Sequence, residues 1–125
     1  MFRKSSFQPV PCKTREGEIL LQRFKLGTTQ LRCDLFRVNV VDDPHCIYCQ
    51  NVIEDYHHFF LECSLYNNLR PDLLGEIFAI CPDFQTLRKR AKIVFILNGS
   101  DECNKENITK LMHAVEKYIV SSKRF

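Results

Sequence analysis

The sequence lacks the features that mark secreted and membrane-spanning proteins. None of its segments approaches the roughly 18 consecutive apolar residues that a membrane-spanning helix requires. The opening residues, MFRKSSFQPVPC, contain no apolar segment of the kind found in a secretory signal peptide. We therefore expect an intracellular protein, nuclear or cytoplasmic, that is not secreted and has no membrane partner.

Internal repeats and low-complexity tracts are absent as well, and the hydrophobic content of 45% is ordinary for a folded protein. A chain of 125 residues forms one domain or little more. The core of so small a domain often needs support from a metal ion or a disulfide. Because a reducing compartment disfavours disulfides, we expect the seven cysteines to bind metal or to remain free thiols.

Four metal-binding side chains are concentrated in residues 46–63, CIYCQNVIEDYHHFFLEC. Cys46 and Cys49 form a C-x-x-C pair, and His58 and Cys63 follow as an H-x4-C pair. Three thiolates and one imidazole complete the tetrahedral coordination of Zn²⁺ and leave no open position for a catalytic water. The spacing therefore predicts a structural zinc site. A redox-active C-x-x-C pair, or cysteines that are simply buried, is the alternative.

Two other histidines compete for the imidazole position. We prefer His58 because it gives the H-x4-C spacing of retroviral zinc knuckles, whereas His57 lies one residue earlier. His45 is a weaker rival, because it lies between a proline and the first cysteine of the pair. Asp55 is a candidate N-cap for a short helix that carries the H-x4-C limb.

Apolar spacing and capping residues predict a mainly α fold, a small helical domain built around one CCHC zinc finger or knuckle. The predicted helices run from Arg15 to Leu26, from about Gln30 to Arg37, from Leu65 to Ile80 with a break or kink at Pro71, from Asp83 to Asn98 and from about Asn104 to Ser122. Thr28 or Thr29 is the predicted cap of the second helix. The predicted buried stripe on the last helix consists of Ile108, Leu111, Met112, Val115 and Ile119. The predicted core also includes Leu31, Leu35, Phe36, Val52, Ile53, Leu87, Ala91, Val94 and Phe95.

The net charge of +3 is too small to indicate a nucleic-acid partner by itself, but its distribution is uneven. Residues 46–63 carry Glu54, Asp55 and Glu62 without lysine or arginine, which gives −3. We therefore expect contacts with a polyanion from the flanking residues, while Tyr48 in the knuckle turn can stack on a base. The preferred phosphate-binding residues are Arg23, Lys25, Arg32 and Arg37, with a second basic patch at Arg88, Lys89, Arg90 and Lys92.

The motifs follow one another in an informative order: LLQRFKLGTTQLRCDLFRV, then CIYC-x8-H-x4-C, then SLYNNLR. This order resembles the zinc-binding domain at the C-terminal end of reverse transcriptases from non-LTR (LINE-type) retrotransposons, over about Glu18 to Leu69. The family's R-L-R-x-G-H-T-like run corresponds to residues 23–29, where Gly27 and Thr29 match and Thr28 replaces the usual His.

The resemblance implies a zinc-binding module that holds RNA or DNA near the polymerase domain of a retroelement polyprotein. Together with composition and periodicity, it leads us to expect a loose N-terminal arm (1–14), a reverse-transcriptase-type zinc-binding domain (15–70) and a helical C-terminal extension (71–125). The alternatives are a zinc-stabilised structural or protein-interaction domain, and a retroelement fragment without a function of its own.

Catalytic signatures are missing from the sequence. Asp42 and Asp43 precede a proline and lack the strand context of a polymerase metal site, and a ribonuclease H acid cluster is absent. The H-x-E element of zinc deaminases does not occur. A zinc-bound thiolate is also unavailable as a nucleophile, and no orienting partner for a Cys–His pair is visible. We therefore expect that the protein is not an enzyme.

Overall fold

The computed structural model describes residues 12–125, and these residues form five α-helices, with the finger in residues 38–69 between the second and the third. The helices are α1 (Arg15–Leu26), α2 (Arg32–Arg37), α3 (Arg70–Ile80), α4 (Lys89–Asn98) and α5 (Lys105–Ser122). A π-helical turn spans His58–Glu62, and 3₁₀ turns span Ser64–Tyr66 and Phe84–Thr86. Backbone β-pairing within this part of the chain is limited to one antiparallel bridge, between His45 and Ile53. The predicted mainly helical fold class is confirmed.

The first helix begins and ends at the residues that its local signals predict. The Thr14 hydroxyl accepts a hydrogen bond from the Gly17 amide at 2.9 Å, as an N-cap does. Gly27 ends the helix in the left-handed conformation, with φ of 74°, where a side chain would be strained. Between these caps Leu20, Leu21 and Phe24 are buried, so the helix presents one apolar face to the core.

The last helix is the element around which the others pack. α5 contacts α1, α3 and α4, and its predicted stripe is buried at Leu111, Met112, Val115 and Ile119. Each such side chain taken from water contributes about 1.5–3 kcal/mol. The predicted boundary after residue 70 falls at the start of α3, and α1 and α3 both contact α5, so the two predicted segments share one core. The boundary itself stays a prediction. Of the predicted arm, residues 1–11 lie outside the described part of the chain.

Three core predictions near the finger are wrong, at Phe36, Val52 and Ile53. Phe36 is 45% exposed because α2 has only six residues, and its inward positions are taken by Leu31 and Asp34. α2 also begins at Arg32 instead of residue 30, since Leu31 is its N-cap residue. Val52 and Ile53 are exposed too. Their turn is held by backbone bonds, such as the 2.7 Å bond from the Cys46 amide to the carbonyl of residue 52, and not by packing beneath it.

The fourth helix begins later than predicted and buries a different face. The 3₁₀ turn Phe84–Thr86 takes up the segment after Pro82, and α4 starts only at Lys89. Phe95 is buried as predicted, but Ala91 and Val94 are exposed. Ile96 and Leu97 are buried instead, because both α1 and α5 contact this helix and consecutive residues therefore meet different neighbours.

Candidate metal centre

Backbone hydrogen bonds fold residues 46–50 into a tight turn that aims two sulfurs at one side. The Gln50 amide donates to the Cys46 carbonyl at 2.7 Å, and Gln50 itself has a left-handed backbone with φ of 71°. The Cys49 amide donates to Cys46 Sγ at 3.4 Å. A donor of this kind favours the thiolate form of the sulfur, which is the form that binds a metal.

A π-helical turn positions the second limb. The Asp55 carboxylate caps it, as predicted, by accepting from the His58 amide at 2.8 Å. The Cys63 amide then donates to the carbonyl of His58, five positions earlier, at 2.7 Å, which is the hydrogen bond that defines a π turn. In an α-helix, five residues turn a side chain by about 140°, so that His58 and Cys63 would diverge. The wider π turn brings both toward one point, and such turns are frequent at functional sites.

The four predicted ligand side chains come together. The ligand atoms of Cys46, Cys49, His58 and Cys63 all lie within 4.8 Å of one another. Cys63 Sγ lies 3.9 Å from the Sγ atoms of both Cys46 and Cys49. That is too long for a disulfide, whereas tetrahedral Zn–S bonds of about 2.3 Å place two sulfurs about 3.8 Å apart. The geometry therefore fits a metal ion held between the sulfurs.

The histidine in the cluster is His58. Its ring is 2% exposed, and neither Nδ1 nor Nε2 has a hydrogen-bond partner in residues 12–125. Buried polar atoms are almost always satisfied, so a ring nitrogen without a partner indicates a missing ligand. His57 lies outside the cluster, although its Nδ1 is also buried without a hydrogen-bond partner in this part of the chain, 3.4 Å from the Glu62 carboxylate. His45 Nδ1 lies 2.6 Å from Asp43 Oδ1.

The thiols of the cluster differ in their surroundings. Burial raises the pKa of Cys63 to about 12, so this thiol is neutral without a metal. Hydrogen bonding, first from the Ser64 backbone, lowers the pKa of the more exposed Cys49. A bound dication deprotonates its thiol ligands, and metal binding therefore releases protons.

An aromatic cluster joins this site to the helices. Phe24 on α1 lies at its centre, with ring centroids 5.0 Å from Tyr56, 5.1 Å from Phe60 and 5.7 Å from Phe59. Phe125 contributes a further ring at 5.5 Å. The residues on both sides of His58 are thus packed into the core, which fixes the direction of the imidazole.

The predicted nucleic-acid-binding residues fall into two groups. Tyr48 is 60% exposed at the knuckle turn, and Arg23 and Lys25 are exposed in the last turn of α1. Arg32 and Arg37 form hydrogen bonds within the protein, although the Arg37 side chain is still 57% exposed. Arg37 donates to Asp34 Oδ1 at 2.6 Å and to the carbonyl of residue 27, and Arg32 Nε donates to the carbonyl of residue 43 at 2.9 Å.

Several buried polar residues that support the site gave no signal in the sequence. Asp34 accepts hydrogen bonds from Thr29 Oγ1 and Tyr56 Oη, both at 2.6 Å. It therefore links the α1–α2 turn to the residues that lead into the π-helical turn. Glu116 on α5 accepts from the amides of Lys13 and Thr14 at 2.8 and 2.9 Å. These partners lie up to 103 positions apart, beyond the reach of any local pattern.

Comparisons with protein-family models, with curated proteins and with solved structures found no match. The resemblance to retrotransposon reverse transcriptases therefore rests on the residues themselves. Among the helices of the described residues, none has both the length and the apolar character needed to cross a bilayer.

Proposed function

We propose that Cys46, Cys49, His58 and Cys63 bind one Zn²⁺ ion whose role is structural. The observation that carries this proposal is the cluster itself, with sulfurs 3.9 Å apart and a buried imidazole whose nitrogens have no hydrogen-bond partner in residues 12–125. Thiolate and imidazole ligands in a tetrahedral set favour zinc among the common metals. Four protein ligands leave no position for a reacting water, so the ion holds the two limbs together.

We further propose that this zinc-stabilised module binds single-stranded RNA or DNA. Tyr48 presents an exposed ring beside the metal cluster, and an aromatic face is what an unpaired base stacks on. Arg23 and Lys25 supply exposed positive charge in the last turn of α1. The resemblance to retrotransposon reverse transcriptases agrees with this function, and a retroelement polymerase domain is the partner that it implies.

The basic patch at α4 supports the same proposal. Lys89 and Arg90 open this ten-residue helix, and no side chain of residues 12–125 caps its N-terminus by a hydrogen bond. Positive side chains at a helix N-terminus are unfavourable, because the helix dipole is positive there as well. A bound phosphate would relieve both the repulsion and the uncapped amides.

A salt titration of binding to single-stranded RNA and to duplex DNA tests the function. Arg23→Gln with Lys25→Gln should lower the log–log slope by about 0.7 for each lost contact with a single strand. Lys105→Gln with Lys110→Gln removes the same charge from α5 and is the matched control. If both double variants lose affinity equally, the contact is not at α1.

Tyr48 allows a second, charge-free test. Tyr48→Ala should weaken single-strand binding by about 1–3 kcal/mol without changing the salt dependence, because stacking carries no charge. Tyr48→Phe keeps the ring and should bind like the wild type. A wild-type protein that binds neither nucleic acid at about 50 mM salt would refute nucleic-acid binding.

A protein-interaction role is the second candidate, and exposed apolar side chains favour it. Val38, Val40 and Ile47 are all more than half exposed in and before the knuckle. Clusters of exposed apolar side chains often mark protein contacts. Replacing these three residues with Ser should leave nucleic-acid affinity unchanged if Tyr48 and the basic residues carry the binding.

A further inference from the structure

Arg70 is a buried cation next to the metal cluster. Its side chain lies at the start of α3 with the residue only 7% exposed. Its Nη2 donates to the Cys63 carbonyl at 2.6 Å, and its Nε donates to the Phe60 carbonyl at 3.0 Å. Nη1 donates to Asn67 Oδ1 at 2.7 Å, and Nη2 also reaches Tyr118 Oη at 3.1 Å.

All four of these acceptors are neutral. In residues 12–125 no carboxylate forms an ion pair with Arg70, although other buried or half-buried arginines do have one, such as Arg124 with Glu54. A buried charge that lacks a counter-ion is strongly unfavourable. Hydrogen bonds satisfy the geometry of the guanidinium, but they leave its charge uncompensated. A negative charge near Arg70 would compensate it, and no carboxylate of the described residues forms an ion pair that supplies one.

The metal centre has the missing charge. One Zn²⁺ with three thiolates and a neutral imidazole has a net charge of −1, and one of those thiolates belongs to the residue whose carbonyl Arg70 binds. We propose that Arg70 is the counter-charge of the zinc–thiolate centre and stabilises its metal-bound state. This inference rests on the proposed zinc site and adds a positioning residue that is not itself a ligand.

The other charged groups near the cluster do not fill this role. Arg124 is neutralised by Glu54, to which it donates two hydrogen bonds of 2.8 Å. The Glu62 side chain is 43% exposed and lies on the histidine side, where its negative charge adds to that of the centre. Arg70 is thus a buried positive charge that contacts the Cys63 backbone and forms no ion pair with a carboxylate of residues 12–125.

Two consequences follow for the zinc-bound protein. Removing the charge of Arg70 should weaken zinc binding by about 10- to 100-fold, the range seen when groups that support metal ligands are lost. It should also speed alkylation of the zinc-bound thiolates by iodoacetamide, because their negative charge is then less compensated. Both quantities are measured on the full chain, by competition with a chromophoric chelator and by mass spectrometry.

Three variants separate charge from packing. Arg70→Met removes the charge and the hydrogen bonds, whereas Arg70→Lys keeps the charge and loses the guanidinium fork. Tyr118→Phe removes one of the hydrogen-bond partners without any change in charge. We expect Arg70→Met alone to weaken zinc binding at least tenfold and to speed alkylation. If Arg70→Lys behaves like Arg70→Met, Arg70 acts by packing and the inference is overturned.

A neutral metal centre gives an independent check. Cys49→His converts the centre to two thiolates and two imidazoles, with a net charge of zero, at the more exposed cysteine. In that background Arg70→Met should change zinc affinity by less than about threefold, since no charge remains to balance. An undiminished effect there would overturn the inference. If Cys49→His fails to bind zinc, the comparison of Arg70→Lys with Arg70→Met decides alone.

The proposed zinc site and the proposed role of Arg70 are refuted by different results. A wild-type protein that does not bind zinc refutes the proposed function and this inference together. A wild-type protein that binds one zinc ion with unchanged affinity in Arg70→Met retains the proposed function and refutes the inference only.

Discussion

Arg124 and Glu54 form a two-bond ion pair that ties the end of α5 to the finger. Arg124 Nε donates to Oε2 and Nη2 to Oε1 of Glu54, both at 2.8 Å. Glu54 lies between the two limbs of the metal cluster, and its Oε1 also accepts from the amide of Arg32 at the start of α2. Arg124 Nη2 reaches the carbonyl of Gln30 as well. One carboxylate thus connects the finger, α2 and the residues after α5.

Arg124→Ala should therefore destabilise the protein strongly. Breaking a buried pair leaves the remaining charge uncompensated, and with side chains 25% and 8% exposed we expect a loss of about 2–3 kcal/mol. The measurement is the free energy of unfolding in urea. Lys117→Ala is the control, because it breaks a pair with Asp72 whose side chains are 71% and 78% exposed and should change stability by less than about 1 kcal/mol. Equal losses in both variants would contradict the prediction.

Gly17 and Gly75 should respond oppositely to alanine. A Cβ at Gly17 would overlap the Glu116 side chain. That carboxylate cannot move freely, because Lys13 and Thr14 hold it through three hydrogen bonds. Gly17→Ala should lower the free energy of unfolding by about 1–3 kcal/mol. Around Gly75 on α3 a Cβ meets nothing within 4 Å, so Gly75→Ala should raise the free energy of unfolding by about 0.5–1 kcal/mol. Stabilisation by both substitutions would show that Glu116 is not fixed.

Asp34 should make stability depend on pH. Burial alone would raise its pKa, but hydrogen bonds from Thr29, Tyr56 and Arg37 outweigh burial and hold the pKa below the ordinary value of 3.8. A carboxylate with a depressed folded-state pKa stabilises the protein fully above its unfolded-state pKa, and this contribution is lost as pH falls through the folded-state value. Asp34→Asn should therefore be less stable than wild type by about 1.5–3 kcal/mol at pH 7.

The same comparison at lower pH completes the test of Asp34. The gap in unfolding free energy between Asp34→Asn and wild type should shrink as pH falls below about 4. Zinc release in acid affects both proteins, so it does not contribute to the difference between their unfolding free energies. Asp101→Asn, at an exposed position, is the control and should show no gap at either pH. A gap that stays constant with pH would mean that Asp34 acts through packing and not through its charge.

Local signals in the sequence were sufficient to predict where α1 begins and ends and where α5 begins. Thr14 and Gly27 bound α1, and Asn104 caps α5, because caps act within three or four residues. The H-x4-C spacing also selected the histidine that the structure places in the cluster. It did not indicate the π-helical turn that makes this spacing work, since π turns have no sequence signature of their own.

Long-range contacts escaped prediction for a physical reason. The most distant hydrogen-bond partners of Glu54, Arg70 and Glu116 lie 70, 48 and 103 positions away, and nothing near these residues in the sequence marks them as buried. The predictions that Phe36 and Val94 are buried were wrong for a similar reason. Apolar periodicity identifies residues that can be buried, but the packing of neighbouring helices decides which of them are buried.

The zinc content of the purified protein and of two neighbouring variants is the most direct test of the central claim. We predict one zinc ion per chain in the wild type, one in His57→Ala and none in His58→Ala, because only His58 lies in the cluster with Cys46, Cys49 and Cys63. The remaining cysteines should be dispensable: Cys12, Cys33, Cys81 and Cys103. A wild-type protein without stoichiometric zinc, or a His58→Ala variant that retains zinc while His57→Ala loses it, would contradict the account.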